Sequence, residues 1–367
     1  MKFKIKRETL LKPLQFVIGV VERRQTLPVL SNLLMQADAG KISLTATDLE
    51  VELVANFDLD VSDGGEITVP ARKFLDICRT LPDESELNIG FLNERIQVKS
   101  GKSKFTLSTL PASEFPLIED IQVQKEFTLP QRELKKLIER TNFAMAQQDV
   151  RYYLNGLLLE IKEGQLRTVA TDGHRLAICE VQANTAGDEE SHQVIVPRKG
   201  IQELARLLED SDDKAIVQLG SNHIRIELPD LRFTSKLIDG KFPDYNKVLP
   251  KAADKFVGAD RETLKQALVR TSILSNEKYR GVRLSLESQL LSLQAHNPEQ
   301  EEAEEEIEVQ YEGDSVEIGF NVNYILDALN AIPEDQVTIS LTDSNSSCLI
   351  EPAEAKDCRY VIMPMRL

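Results

Sequence analysis

The stretch of this chain spaced for catalysis is Thr171-Asp172-Gly173-His174-Arg175. An Asp and a His two apart are residue types of general acid–base chemistry. The same place earlier in the chain reads Thr47-Asp48-Leu49-Glu50, without an imidazole, and no nucleophile or third group accompanies the pair. A turn feeding a binding groove is the better reading. The sequence has no G-x-x-x-x-G-K-[ST] and no G-x-G-x-x-G, so no nucleotide-phosphate loop is encoded. The histidines His174, His192, His223 and His296 lack metal-ligand spacing. The cysteines Cys78, Cys179, Cys348 and Cys358 show no paired spacing and are expected as reduced, buried thiols of a cytoplasmic protein. No catalytic residue, metal or cofactor is expected.

The elements that position this turn occur three times. KFKIKRETLLKPLQFVIGVV from Lys2, EFTLPQRELKKLIERTNFAM from Glu126 and KFVGADRETLKQALVRTSIL from Lys255 share a strand, an Arg-Glu pair and an amphipathic helix. The pairs are Arg7-Glu8, Arg132-Glu133 and Arg261-Glu262, with the arginines 125 and 129 residues apart. That period is too long for a solenoid repeat and fits a whole small domain. Two strands follow in each copy, and Thr47-Asp48, Thr171-Asp172 and His296-Asn297 fall at corresponding places. Next comes a strand leading into a second helix, which begins beside Pro70, Pro197 or the capping residue Asn321. Two or three strands close each copy. The expected fold is α+β, with three repeated domains of antiparallel sheet and two helices. The boundaries fall at residues 1–122, 123–250 and 251–367.

At 41% hydrophobic and 28% charged residues, the 367-residue chain has a globular composition. No apolar run approaches the ~18 residues of a membrane span. The net charge of −16 excludes a protein that coats nucleic acid with its whole surface. Basic residues nevertheless recur on corresponding helices: Arg7, Lys12, Arg23 and Arg24; Arg132, Lys135, Lys136 and Arg140; Arg261, Lys265 and Arg270. The second helices add Arg72, Lys73 and Arg79, then Arg198, Lys199 and Arg206. Lined up on one face, they would attract phosphates without reading sequence.

The copies differ at their ends. The first carries Lys73, Arg95, Lys99, Lys102 and Lys104 with the apolar Phe105 and Leu107. The third carries the acidic run containing Glu299, Glu301, Glu302 and Glu304, with the apolar Ile273 and Leu274. Opposite charges at the two ends suit head-to-tail association, which closes into a ring where the rotation permits. Twelve helices around such a ring, ~8–10 Å apart, would leave an opening of roughly 20–28 Å.

The strings QQDVRYYLNG, ATDGHRLA, VIVPRKG, DGKFPDY, LSNEKYRGVRL, NPEQEEAEEE and YVIMPMRL resemble the bacterial DNA polymerase III beta subunit family, the sliding clamps, from end to end of the chain. The resemblance implies half of a six-domain ring. Its homodimer encircles duplex DNA without sequence preference and gives the polymerase III holoenzyme processivity, with no catalysis of its own. It implies DNA contacts at Arg24, Arg72, Gln148, Tyr152, Tyr153, Arg198 and Lys199. It also implies one peptide groove per subunit, built from Arg151, Leu154, Thr171, Gly173, His174, Arg175, Leu176, Pro243 and Val248. The third copy adds Asn321, Tyr324, Ser347, Val361, Met363, Pro364, Met365 and Arg366. The implied partners are the replicative polymerase alpha subunit, the clamp loader, and other polymerases and repair proteins. They insert short linear peptides rich in Gln, Leu and Phe. No membrane partner is implied. The weaker alternative is a peptide-binding scaffold that never encircles DNA. Asn345 lies in the loop TDSNSS beside the groove, and Ala183–Ser191 reads as a variable loop.

Overall fold

Alternation shapes the first strand: the lysines of Lys2-Phe3-Lys4-Ile5-Lys6 are exposed, while Phe3 and Ile5 are buried. The helix that follows places Leu10, Leu14 and Val17 on one buried face. This strand–helix unit recurs at the start of each copy. A computed structural model describes residues 1–21, 27–38, 40–118, 120–183, 191–250 and 253–366.

The first copy comprises β1 (Lys2–Lys6), α1 (Arg7–Val17), β2 (Asn32–Asp38), β3 (Lys41–Thr47), β4 (Val51–Asp58), β5 (Val61–Asp63), β6 (Gly65–Pro70), α2 (Ala71–Thr80), β7 (Glu86–Leu92), β8 (Arg95–Ser100) and β9 (Ser103–Ser108). The second comprises β10 (Lys125–Pro130), α3 (Gln131–Glu139), β11 (Gly156–Lys162), β12 (Gln165–Thr171), β13 (Arg175–Gln182), β14 (His192–Pro197), α4 (Arg198–Leu207), β15 (Lys214–Leu219), β16 (His223–Leu228) and β17 (Leu231–Lys236). The third comprises β18 (Lys255–Asp260), α5 (Arg261–Thr271), β19 (Gly281–Glu287), β20 (Leu290–His296), β21 (Glu302–Glu308), β22 (Val316–Asn321), α6 (Val322–Ala331), β23 (Gln336–Leu341), β24 (Cys348–Pro352) and β25 (Cys358–Ile362). The order of elements repeats three times, with the short β5 added in the first copy. This is the α+β organisation expected from the repeat.

The backbone divides into two compact units, Met1–Leu134 with Lys199–Leu237 and Lys135–Arg198 with Ile238–Leu367. The first unit holds an antiparallel sheet ordered β5-β1-β7-β8-β9 and another ordered β10-β15-β16-β17-β4-β3-β2-β6. There β4 of the first copy pairs with β17 of the second, Leu53 opposite Phe233. In the second unit the sheets run β14-β11-β12-β13-β25-β24-β23-β18 and β21-β20-β19-β22. There β13 of the second copy pairs with β25 of the third, Leu176 opposite Val361. In the first unit α1 packs on α2, β3 and β4; in the second, α5 packs on α6, β20 and β21.

The recurring arginine has a structural task. Arg7 donates its backbone N–H to Ser85 O at 2.9 Å, and its Nε to Cys78 O at 2.8 Å. Arg261 repeats this with Asp335 O at 2.8 Å and Glu334 O at 2.9 Å. Arg132 N–H bonds Ser211 O at 3.1 Å. In each copy the backbone N–H of this arginine, at the first or second position of the first helix, bonds the segment that follows the second helix.

The cysteines correct one expectation. Cys78 and Cys348 are free and buried. Cys179 and Cys358 are bonded to each other, with S–S 2.09 Å. They lie directly opposite on β13 and β25, a proximity hidden by 179 residues of sequence separation. Among the described residues, no helix is long and apolar enough to cross a membrane.

Candidate functional site

The turn Thr171–Arg175 is built by its own side chains. Thr171 Oγ1 donates to Arg175 O at 2.6 Å and accepts from Gly173 N–H at 3.0 Å. Asp172 Oδ1 accepts from His174 N–H at 2.9 Å and Arg175 N–H at 3.0 Å. The first copy repeats the design: Thr47 Oγ1 donates to Val51 O at 2.9 Å, and Asp48 Oδ1 accepts from Glu50 N–H at 2.9 Å. Gly173 has φ +90°, a left-handed backbone that selects glycine, and a Cβ there would lie 2.9 Å from Arg151 Nη2. Asp172 is thus occupied in holding the turn, and its Oδ2 pairs with Arg175 Nε at 3.1 Å. The His174 ring stacks on Tyr324, with centroids 6.4 Å apart and planes at 17°. Neither residue is arranged for proton transfer, as the comparison between copies implies.

Arg175 is the hub. It donates to Asp327 Oδ2 at 2.5 Å and to Phe143 O at 2.8 Å. Its guanidinium lies over the Tyr324 ring at 4.6 Å and near the Phe143 ring at 5.3 Å. Tyr324 and Asp327 sit three residues apart on α6, hence on one helical face. Asn321 caps that helix by accepting from Asn323 N–H at 3.0 Å. Arg151 is fixed by Asp149, through Nε at 3.0 Å and Nη2 at 2.9 Å. The Arg151 side chain, then its backbone N–H, holds the Asp149 carboxyl down to about 2. Asp149, Asp327 and Phe143 were not singled out from the sequence; Asp149 was signalled only by standing two residues before Arg151.

Leu154, Leu176 and Val361 belong to one buried cluster with Phe242 and Tyr245. All three are fully buried there. Tyr245 donates to Glu160 and accepts from Arg167 Nη1 at 2.8 Å; burial pushes its phenol up to about 12. This anchors the segment on which Pro243 and Val248 are exposed. Met363 is exposed and Pro364 and Met365 are half-buried. Their backbone is held by Met363 N–H to His174 O at 2.9 Å and Met365 N–H to Gly319 O at 2.8 Å. Arg366 is exposed, and Ser347 is half-buried at the start of β24. Asn345 is exposed and donates its N–H to Asp343 Oδ1 at 2.8 Å. The second unit therefore gathers an apolar floor, a thioether rim and a fixed set of cations and rings.

The residues expected to meet DNA fall in two places. In the second unit, Tyr152 and Tyr153 pack edge to face, centroids 5.7 Å apart. Gln148 is exposed at φ +56°, and Arg198 donates to Met145 O at 3.0 Å. In the first unit, Arg72 donates to Val21 O at 2.5 Å, and Lys199 pairs with the buried Asp48 at 2.5 Å. Arg24 and Arg23 lie outside the described residues, as does most of Ala183–Ser191. Arg72 and Lys73, like Arg198 and Lys199, occupy the first turns of α2 and α4, which carry no acid there. A cation at a helix N-terminus opposes the helix dipole. These positions are unfavourable for the helices themselves and suit an anionic partner. The other recurring cations are largely neutralised: Lys12 by Glu209 at 3.7 Å, Arg132 by Asp212 at 2.7 Å, Lys135 by Glu139 at 3.4 Å and Arg270 by Glu305. Much of the basic stripe read from the helices, Lys199 included, is paired with carboxylates of the same chain.

The end-specific residues lie on open edges. β9 is the last strand of its sheet, with Lys104 exposed and Phe105 and Leu107 half-buried. Lys73, Arg95 and Lys102 are exposed. β21 is the last strand of its own sheet, with Glu302 and Glu304 exposed and Ala303 half-buried. Glu299 and Glu301 are exposed in the preceding turn. Ile273 is 72% exposed and Leu274 half-buried, in a short turn of helix packed on β20 and β21. Among the described residues, Cys179, Asp357 and Cys358 place potential metal donors within 4.8 Å of one another. The two sulfurs are bonded to each other, and Lys136 already pairs with Asp357.

The fold defines a clamp protein made of three like domains. The DNA polymerase III beta subunit family matches in three parts: its N-terminal domain at residues 1–119, its central domain at 128–244 and its C-terminal domain at 246–366. The beta sliding clamp of Pseudomonas aeruginosa is 58% identical over all of both chains, and that of Escherichia coli K12 is 55% identical over the same span. A crystal structure of the Pseudomonas aeruginosa DNA polymerase III subunit beta superposes with TM-score 0.98 at 57% identity, covering both chains fully. Caulobacter crescentus pol III beta superposes with TM-score 0.93 at 38% identity, again covering both chains fully. The chain belongs to the DNA polymerase III beta subunit family, the sliding clamps.

Proposed function

We propose that two copies of this chain close head to tail around duplex DNA in the cytoplasm. The ring then tethers the replicative polymerase alpha subunit, the clamp loader, and other polymerases and repair proteins. Each subunit offers the Arg175 groove to their short peptides, while Arg72, Arg198, Tyr152 and Tyr153 attend the DNA. The observation that carries closure is the pair of open sheet edges, β9 basic and β21 acidic. Open edges seek another strand.

The internal junctions suggest a register for that contact. The turns ending at Glu52, Leu176 and Glu302 correspond, each opposite the last Thr or His of the preceding strand. Arg232-Phe233-Thr234 corresponds to Lys104-Phe105-Thr106. In the first junction Glu52 faces Thr234, Leu53 faces Phe233 and Val54 faces Arg232. Carried to the subunit contact, this sets Ala303 opposite Phe105 of the second copy and Glu304 opposite its Lys104. A small residue then faces an aromatic, and a carboxylate faces an ammonium.

Charge reversal tests it. Lys104→Glu or Glu304→Lys alone shifts sedimentation toward monomer, and the two changes together in one chain restore the dimer. Single variants that dimerise like the parent would refute the contact, as would a double variant that stays monomeric.

A further inference from the structure

Cys179 and Cys358 join the two copies that share the groove. The bond spans β13 and β25, and the groove residues Leu176 and Val361 face each other on the same strands three positions away. The matching position in the first junction holds Ala55 opposite Leu231, so the sulfur pair is confined to the groove-bearing junction. Cations and a carboxylate stand beside it. Arg140 Nη1 lies 3.5 Å from Cys358 Sγ and 3.9 Å from Asp357, and Lys136 pairs with Asp357. A guanidinium beside the sulfur favours the thiolate, the form that attacks disulfides. Cys78 and Cys348 are buried as well, and burial pushes each thiol up to about 12.

We propose that Cys179 and Cys358 form a reversible thiol–disulfide pair that staples β25 to β13 and tunes the peptide groove; the tuning rests on the groove reading above. The oxidant is a low-molecular-weight disulfide. The Cys358 thiolate attacks one of its sulfurs, expelling one thiolate and leaving a mixed disulfide. Cys179, deprotonated to solvent, attacks Cys358 Sγ and expels the second thiolate. The protein loses two protons and two electrons, and the small disulfide becomes two thiols. Excess thiol reverses both steps. In a reducing compartment such a pair closes transiently under oxidation.

Both sulfurs are fully buried, so exchange needs β25 to part from β13. The backbone after β25 is held by Met363 N–H on His174 O and Met365 N–H on Gly319 O. Met363 and Met365 are groove residues. A bound peptide that rests on them opposes the same opening, and the staple in turn pre-orders the rim for the peptide. Linkage makes the two effects reciprocal.

The test uses the full chain, equilibrated with glutathione disulfide or with excess dithiothreitol. Titratable thiols are counted after denaturation, and a fluorescent peptide of Gln, Leu and Phe is titrated into each form. Oxidation should lower the thiol count by two, with the bond mapped to Cys179 and Cys358. The oxidised form should bind the peptide about two- to fivefold more tightly, because the rim is pre-ordered. Saturating peptide should slow reduction. A chain carrying Cys179→Ala and Cys358→Ala should bind equally under both conditions. Four thiols after oxidation, with peptide bound normally, overturn the staple. Equal affinity of the oxidised and reduced parent overturns the tuning. Peptide binding to neither form overturns the groove reading and the tuning with it, while the thiol count still decides the staple.

Discussion

Arg175 of the second copy and Asp327 of the third are joined by a 2.5 Å ion pair, with the guanidinium 4.6 Å from the Tyr324 ring between them in sequence. A strand of one copy thereby fixes a helix of the next. Arg175 is mostly buried, whereas Asp327 is 41% exposed. Arg175→Ala should therefore cost about 2 kcal/mol of stability, because it leaves Asp172 Oδ2 and Phe143 O without the guanidinium that donates to them. Asp327→Ala should cost less than about 1 kcal/mol. Both should weaken peptide binding, Arg175→Ala by at least about tenfold, as titration calorimetry would register. Parent-like affinity in Arg175→Ala would remove it from the groove.

Asp149 gives a pH prediction. Its carboxyl is held at about 2, below the ordinary 3.8, by the Arg151 side chain. A lowered carboxylate stabilises the fold fully above 3.8 and loses that contribution as pH falls through about 2. The Arg151 anchor should thus stay intact across neutral pH and fail only in strong acid. Arg151→Ala should return the Asp149 midpoint toward 3.8, followed by carbon-detected NMR. An unmoved midpoint would assign the shift to another cause.

Much of this arrangement was legible beforehand. The three Arg-Glu pairs located every copy, and the alternation of Phe3 and Ile5 or the stripe of Leu10 and Leu14 set the elements. What the arginines do was hidden, because their acceptors, Cys78 O, Ser85 O and Glu334 O, lie over seventy residues away and are backbone atoms. The same distance hid the Cys179–Cys358 bond. The helical cations looked like a continuous DNA face because sequence does not show that Asp212, Glu209 and Glu305 fold back onto them. Leu154, Leu176 and Val361 were expected in the groove, and packing places them in a buried cluster with Phe242 and Tyr245.

Lys199 and Arg72 should behave differently, although both read as DNA contacts. Lys199 neutralises Asp48, whose side chain is only 3% exposed. Lys199→Ala should cost about 2 kcal/mol in denaturant unfolding, since it strands a buried carboxylate. Adding Asp48→Asn should recover part of the loss. Arg72→Ala should instead lower the salt dependence of duplex binding by about one ion. If Lys199→Ala unfolds like the parent, the ion pair has no structural weight.

Retention on DNA topology reaches the central claim most directly. The chain is loaded onto nicked circular DNA with its loader, the complex is isolated, and half is cut once with a restriction enzyme. A closed ring stays on the circle and slides off the linear form, so bound protein should fall at least about tenfold after cutting. Equal retention on circular and linear DNA would contradict encirclement and leave a peptide-binding scaffold as the reading.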